Sequence, residues 1–232
     1  MRGDVLIGTI ASMSDLWEVL IRHFPEFRSG FLVTVQLVAV SFVIAIAVGL
    51  FVGALRVTPV RWVRFLGGLY VEFFRNIPLL VLLFISYLGL RRAGIEIGPW
   101  VAGTASLGLY TAAYVAETVR SGVFAVGKGQ IEAGLSLGFP YRRVLSHIVI
   151  PQAVRSVIPP LGSLLIAMIK NSAIIGAALA LADDLLKQAR LINARTFQTN
   201  EVFFWAAFGY LILTVTATFA VRFLERRLVV RR

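Results

Sequence analysis

The residues of this chain that could do chemistry are few, and most of them border apolar segments. The clearest is Lys170, which ends an apolar run and is followed by Asn171 and Ser172. An ammonium group this far into a hydrophobic segment is costly unless it faces a cavity or a partner, where it attracts carboxylates. Lys170 is therefore a candidate for contacting an acidic solute. The structural alternatives are snorkelling to the membrane interface or a salt bridge to another helix.

Small and polar side chains extend this candidate along one segment. They recur at +4, +7, +11 and +14 from the first member: Ser156, Pro160, Ser163, Ala167 and Lys170. Residues at this spacing share one helix face, and the large aliphatic side chains lie elsewhere. We predict that this face lies inside a helical bundle, where Ser163 and Lys170 could line a path.

Arg75 is a second cationic candidate. It precedes Asn76 and Pro78, and proline interrupts regular helix hydrogen bonding. We therefore expect Arg75 and Asn76 at a helix break near the cytoplasmic interface, a place that favours a structural role over solute contact.

Catalytic and metal chemistry are not indicated. Residues 122–129, GVFAVGKG, resemble a P-loop but end in glycine, so the hydroxyl for magnesium is missing, and no strand precedes them. His23 and His147 are far apart in sequence, and the chain has no cysteine. We predict a protein that is not an enzyme and that binds neither a metal nor a cofactor.

The composition is that of a membrane protein. Hydrophobic residues make up 58% and charged residues 15% of the 232 residues, against about 25% charged residues in soluble domains. Each of five apolar segments is long enough to cross a hydrocarbon core of about 30 Å. The predicted spans are residues 31–55, 70–90, 100–119, 154–175 and 203–223.

The remaining segments are more polar. Residues 14–30 predict a short amphipathic surface helix that ends near Pro25, or a plain polar lead-in. Residues 177–201 predict an external loop with a short helix, in which Asp183 and Asp184 are solvated.

A row of small residues crosses the first span. Ala45, Gly49 and Gly53 recur every four residues and allow close helix approach. Packing within the same bundle is preferred over contact with another subunit.

The chain divides into an N-terminal extracytoplasmic or interfacial segment (1–30), a helical domain (31–225) and a basic tail (226–232). Translation starts at Met1 or Met13. The net charge is +11, and the basic residues concentrate on the side that carries the loop between spans three and four. The positive-inside rule then places the N-terminus outside and the C-terminus in the cytoplasm, so nucleic-acid binding is not needed to explain the charge.

The loop at residues 127–151 carries the most specific pattern. Residues 130–137 predict a short helix, with Gly138 at its C-cap and Pro140 preventing continuation. Glu132-Ala133 is followed by Gly138 and then, after nine intervening residues, by Ile148, Ile150 and Pro151.

This pattern resembles the EAA loop of ABC-importer permeases, with Gly134 in place of the second alanine and Ile150 in place of leucine. The runs FFRNIPLL, YVAETVRSG and PPLGSLLIAMIKNS are similar to the polar amino-acid subfamily. The last run, together with LLKQARLINA, is similar to glutamate-importer permeases of actinobacteria.

The resemblance implies an all-α membrane fold of the ABC type I importer class, with five transmembrane helices and a cytoplasmic coupling helix between the third and fourth. It implies that the loop transmits motion from a separate ATPase through Glu132, Ala133, Gly134, Gly138, Arg142 and Arg143. Glu132 would fix either the fold of the loop or its contacts. The candidates along the substrate pathway are Lys170, Asn171, Ser172, Ser163 and Arg75.

The partners implied are two ATPase copies that use ATP and magnesium, a second permease that is identical or homologous, and an extracytoplasmic substrate-binding protein. The location implied is the bacterial plasma membrane. The substrate implied is glutamate, with aspartate or glutamine as neighbours in chemistry. An ion-coupled secondary transporter or a membrane scaffold is the alternative, although the internal repeats common in the former are not evident.

Overall fold

A computed structural model of the chain describes residues 13–178 and 183–228. All regular structure in these ranges is helical, which confirms the all-α prediction. The helices are α1 (Met13–Val57), α2 (Arg61–Asn76), α3 (Leu79–Arg92), α4 (Pro99–Phe124), α5 (Lys128–Ser136), α6 (Tyr141–Ala178), α7 (Leu185–Thr196) and α8 (Thr199–Leu228). The choice between Met1 and Met13 and most of the basic tail concern residues outside the described ranges.

The N-terminal helix is longer than the sequence predicts. The helix end expected near Pro25 corresponds to a kink at His23, where φ is −113° and ψ is 17° and two helical segments join. Beyond this kink α1 continues to Val57. A proline inside a helix removes a hydrogen bond and clashes with the preceding turn, and a kink relieves both.

The second predicted span is two helices. The break at Pro78 is confirmed, but α2 and α3 meet at 101°, so residues 70–90 are not one straight span. Arg75 and Asn76 end α2, as expected for residues at a break. The connection between α1 and α2 is short, because α2 begins at Arg61.

Close packing of α1 on α4 forms the centre of the bundle. A Cβ on Gly49 would lie 2.5 Å from the Val115 side chain, and one on Gly53 would lie 2.8 Å from Val119. From the α4 side, a Cβ on Gly108 would lie 2.7 Å from Ile44. The row of small residues therefore packs within the chain, as predicted. These contacts advance together along both helices, so α1 and α4 run parallel.

Membrane-spanning character is strongest in three helices. Within the described residues, α1, α6 and α8 are long and apolar enough to cross a membrane, and the bent pair α2–α3 would count as a fourth. Helix α4 is 26 residues long but rich in glycine, alanine and threonine, many of them buried. The total of five spans remains a prediction.

Helix α6 continues through Pro151 without a break. A π-helical turn at Leu145–Val149 lies directly before this proline. A proline ring clashes with the carbonyl four residues earlier, here in His147, and the wider π turn relieves that clash.

The helix expected within residues 177–201 is confirmed as α7. Its buried side chains, Leu185, Ala189 and Ile192, form one apolar cluster with α1 and α8. The Asp184 carboxylate caps the helix by accepting a hydrogen bond from the Lys187 backbone N–H at 2.9 Å.

Candidate functional site

Helix α5 ends in a tight turn that depends on Gly138. The Phe139 N–H donates to the Gly134 carbonyl at 3.2 Å, and the Gly138 N–H donates to the Leu135 carbonyl at 2.9 Å. Gly138 has a φ of +79°, in the left-handed region that glycine adopts without steric cost. The predicted C-cap is therefore confirmed, and α6 starts three residues later.

Gly134 fixes α5 to the start of α6. Of the nine residues of α5, all of them described, only Gly134 is buried. A Cβ at this position would lie 3.0 Å from both the Val144 and the Ile148 side chains. The departure from alanine in the sequence pattern thus has a packing reason, since glycine lets the two helices approach closely.

The opposite side of α5 is uncovered. Glu132 and Ala133 are exposed, as are Arg142 and Arg143 after the turn. Apolar side chains are exposed beside them: Leu135, Leu137, Phe139 and Tyr141. A cavity of about 430 Å³ opens next to this surface, lined by Phe139, Arg143, Val144, His147 and Ile148.

The Glu132 carboxylate has no hydrogen bond or ion pair to any other residue within the described ranges. The carboxylate therefore does not hold the fold of the loop.

A carboxylate and three guanidinium groups join α1, α2 and α4 at the same end of the bundle as α5. Glu117 of α4 accepts hydrogen bonds from Arg56 of α1 and, at 2.6 and 3.0 Å, from Arg120. Arg75 of α2 lies 3.9 Å from the same carboxylate and 5.4 Å from the centre of the Tyr114 ring. One acidic group thus pairs with three basic groups, and Arg75 is the least engaged of them.

Arg75 borders a cavity of about 360 Å³ between α2, α4 and α6. Ser156 and Pro160 of the predicted polar face lie on the α6 side, and Tyr114, Glu117 and Thr118 lie on the α4 side. A cation, hydroxyl groups and an aromatic ring therefore meet in an open depression.

Part of the polar face of α6 is left uncovered by the described residues of this chain. Ser163 and Lys170 are exposed, so the expectation that they lie inside the bundle is wrong for a single chain. The buried side of α6 is instead the one that carries Gly162, Met168 and Ile169, because Gly162 fits against Val221 of α8. In the part of the chain that the structure describes, the Lys170 ammonium has no hydrogen-bond or ion-pair partner.

The neighbours of Lys170 point in different directions. Asn171 is half-buried and lines a cavity of about 230 Å³ with Tyr110, Tyr114 and Ala167. Ser172 is fully buried, and its hydroxyl donates to the Ile169 carbonyl at 2.7 Å. The structure therefore leaves Lys170 and Ser163 exposed, turns Asn171 toward a cavity against α4 and buries Ser172.

Asp184 is a functional group whose environment the sequence did not reveal. The exposed Asp183 pairs with Lys187 at 2.6 Å, but Asp184 is fully buried, so the expectation of solvation is wrong for it. One of its carboxylate oxygens has no hydrogen-bond partner among the described residues. Burial raises the pKa of Asp184 to about 6, although hydrogen bonds from backbone N–H groups oppose the shift.

Known proteins match this chain over most of its length. Residues 45–230 match the family described as "Binding-protein-dependent transport system inner membrane component". The probable glutamine ABC transporter permease protein GlnM of Bacillus subtilis (strain 168) is 39% identical over 90% of this chain and 96% of its own length. The probable amino-acid ABC transporter permease protein YckA of the same organism is 33% identical over 90% and 92%.

A solved structure has the same fold. The crystal structure of an amino acid ABC transporter with histidines superposes with a TM-score of 0.85, at 33% identity, over 91% of this chain and 98% of the other. The family works with an ATPase and a substrate-binding protein, which are separate partners. This chain therefore belongs to the binding-protein-dependent inner membrane components, as a multi-pass permease subunit of an amino-acid ABC transporter.

Proposed function

We propose that this permease imports a polar amino acid, glutamate or its relatives aspartate and glutamine, across the plasma membrane, driven by ATP that a separate ATPase hydrolyses with magnesium. The observation that carries the proposal is the geometry of α5. This helix is held to α6 at Gly134, and it leaves Glu132 and Leu137 free to meet another chain.

In this account α5 acts as a lever. It lies between α4 and α6, so a displacement of α5 by the ATPase moves the ends of both long helices. Glu132, Ala133, Arg142 and Arg143 make the contacts, while Gly134 and Gly138 set the position of the helix. The exposed apolar residues Leu135, Leu137 and Phe139 supply the contact area that an interface core needs.

A second permease, identical or homologous, covers the polar face of α6. Ser163 and Lys170 are exposed there next to small residues, which suits close approach of another helix and a polar path between two subunits. Two ATPase copies and an extracytoplasmic binding protein complete the complex. The N-terminus is outside and the C-terminus inside, because basic residues concentrate at the α5 end.

Substrate contact falls to Lys170, Ser163 and Asn171, with Arg75 at the cytoplasmic exit. An ammonium without a carboxylate partner attracts the carboxylate of an amino acid, and an acidic amino acid carries two. The GlnM relative is named for glutamine, so the glutamate proposal rests on Lys170 and on the sequence resemblance. Ser172 no longer stands as a contact, since it is buried against its own helix.

Uptake of labelled glutamate tests the proposal in cells that express this chain with its partner subunits. Unlabelled aspartate, glutamine, arginine and histidine compete in parallel, with and without ATP depletion. We expect ATP-dependent uptake that the acidic amino acids block. Competition by arginine or glutamine alone would reject glutamate, and uptake that survives ATP depletion would reject the ATP-driven importer.

A further inference from the structure

Helix α2 has three different faces. Its buried face carries Gly67 and Val71, which pack on α1 and α4. The Tyr70 hydroxyl adds a hydrogen bond to the Leu109 carbonyl of α4 at 2.8 Å. This face fixes α2 to the rest of the chain.

A second face is an apolar stripe that no other described part of this chain covers. Its members follow the spacing i, i+3, i+4, i+7 and i+11, so they line one side of a helix. They are Trp62 (79% exposed), Phe65 (60%), Leu66 (62%), Leu69 (58%) and Phe73 (53%). Such a stripe needs an apolar environment.

The third face is charged and lies between the other two, because Arg61, Arg64, Glu72 and Arg75 fall in the remaining sector of the helix. Arg75 lies near the Glu117 carboxylate, which other arginines also contact, and Glu72 accepts a hydrogen bond from Asn76. Arg61 and Arg64 have no carboxylate partner within the described residues, and Arg64 reaches only the Thr58 carbonyl at 3.4 Å. Two exposed guanidinium groups thus stand one turn apart without counter-charge.

The orientation of α2 assigns these faces to their surroundings. The helix meets the apolar α3 at 101°, so it lies along the membrane plane if α3 runs through the membrane. Gly67 packs on Arg56 and Arg75 approaches Glu117, which places α2 toward the α5 end of the bundle. In that orientation the buried face would meet protein, the charged face would meet water and headgroups, and the stripe would meet acyl chains.

We propose that α2 lies in the lipid headgroup layer and that Arg61 and Arg64 bind anionic phospholipid. Guanidinium groups match phosphate oxygens in charge and geometry, and a tryptophan at the end of an apolar stripe is typical of a membrane interface. A second copy of this chain is a poorer occupant, because it would leave both arginines without an anion. The inference does not depend on the transported substrate.

Site-specific quenching tests this surface. The chain has no cysteine, so Leu66→Cys can carry one fluorophore on the stripe before the complete transporter is reconstituted. Two sets of phosphatidylcholine vesicles are prepared. One contains spin-labelled phosphatidylglycerol, and the other contains the same amount of spin-labelled phosphatidylcholine. Val43→Cys, at a residue 68% exposed within α1, is the reference position.

We expect phosphatidylglycerol to associate more strongly than phosphatidylcholine at residue 66. The expected preference is about fivefold for each arginine, because a basic residue is attracted to an anionic lipid surface. Arg61→Gln with Arg64→Gln should abolish this preference. The pair Arg91→Gln and Arg92→Gln removes the same charge at the other end of α3 and should leave it intact. Higher ionic strength should weaken the preference in the native background.

Three results would overturn the proposal. Equal quenching by both lipids at residue 66 would show that the stripe meets lipid without charge selection. A preference that survives loss of Arg61 and Arg64, or that ignores ionic strength, would assign selection to other groups. Absence of quenching by either lipid would show that protein covers α2.

Discussion

The two ends of the bundle are held in different ways. At the end that carries α7, buried polar groups cross between helices: the Leu185 N–H donates to the Thr34 hydroxyl at 3.0 Å, and the Trp205 indole donates to the Leu16 carbonyl at 2.8 Å. At the other end, α5 buries only Gly134 and leaves its outer side uncovered. The difference indicates a rigid end at α7 and, at the other end, an outlying helix α5 that few contacts hold: the packing of Gly134 and Ile131, and a hydrogen bond from Gln152 to Gln130.

The difference suits a coupled transporter. Elements that respond to a partner come from the less stable parts of a protein, because their displacement must cost little. Helix α5 fits that description, while α7 with its buried cap does not. Substitutions at the α7 end should therefore change stability, and substitutions at the α5 end should change coupling and partner binding.

The largest effect on stability is expected at Gly176. A Cβ there would overlap the Asp184 carboxylate, which the α7 cap holds in place. Gly176→Ala should lower the free energy of unfolding by about 3 kcal/mol, as overpacked sites do. Thermal unfolding in detergent measures it. Gly68→Ala, where a Cβ meets no atom within 4 Å, is the matched control, and an equal loss in both variants would contradict the rigidity of the α7 end.

A pH dependence should follow from Asp184. Its pKa is raised from 3.8 to about 6 in the folded protein, so the folded state binds the proton more tightly than the unfolded state. Proton binding by Asp184 therefore adds to the free energy of unfolding. This contribution is fully present below pH 4, is lost as the pH rises through 6 and stays absent above it. The groups facing Asp184 are Tyr210 of α8 and Lys187 of α7.

Unfolding between pH 4 and 7 checks this dependence. Asp184→Asn should remove a pH-dependent change in the free energy of unfolding on the order of 2 kcal/mol. Asp183→Asn, at the exposed neighbour, should leave the dependence of this free energy on pH nearly unchanged. Identical profiles for the native chain and Asp184→Asn would show that this carboxyl does not titrate as described.

The smallest effect is expected from one exposed side chain beside α5. Leu137 is 77% exposed, and Leu137→Ser should weaken ATPase binding about tenfold if it is an interface anchor. Ile95→Ser, also exposed but at the opposite end, is the control. The measurement is the affinity between the separated permease and ATPase subunits in detergent. Unchanged binding by Leu137→Ser would show that the ATPase interface does not include this surface.

Local signals made part of this structure predictable from sequence. Gly138, Pro140 and the break at Pro78 act through the backbone of their own residues, so their consequences were predicted correctly. Pro25 and Pro151 also disturb the helices that contain them. A kink near Pro25 and a π turn before Pro151 accommodate the proline rings, so α1 and α6 continue past them. A proline shows where a helix is disturbed, and packing decides whether it ends.

Long-range contacts were not accessible in the same way. The Glu117–Arg120 pair is visible in sequence because the residues are one turn apart, but Arg56 is 61 residues away from Glu117. Asp184 is buried because Gly176 of another helix leaves room for it. The polar face of α6 was predicted to lie inside the bundle because polar faces of membrane helices are buried in complete bundles. In this single chain the opposite side of α6, which carries Gly162, packs against α8 instead.

Coupling by α5 is tested most directly with two glycines of the same conformation at opposite ends. Gly138 has a φ of +79° and Gly94 a φ of +83°, and a Cβ meets no atom within 4 Å at either. Valine costs similar strain at both positions. The measurement is the stimulation of ATPase activity by substrate and binding protein in the reconstituted transporter. The account predicts that Gly138→Val assembles but loses stimulation at least tenfold, while Gly94→Val keeps it. Normal stimulation in Gly138→Val, or equal loss in both variants, would contradict the account.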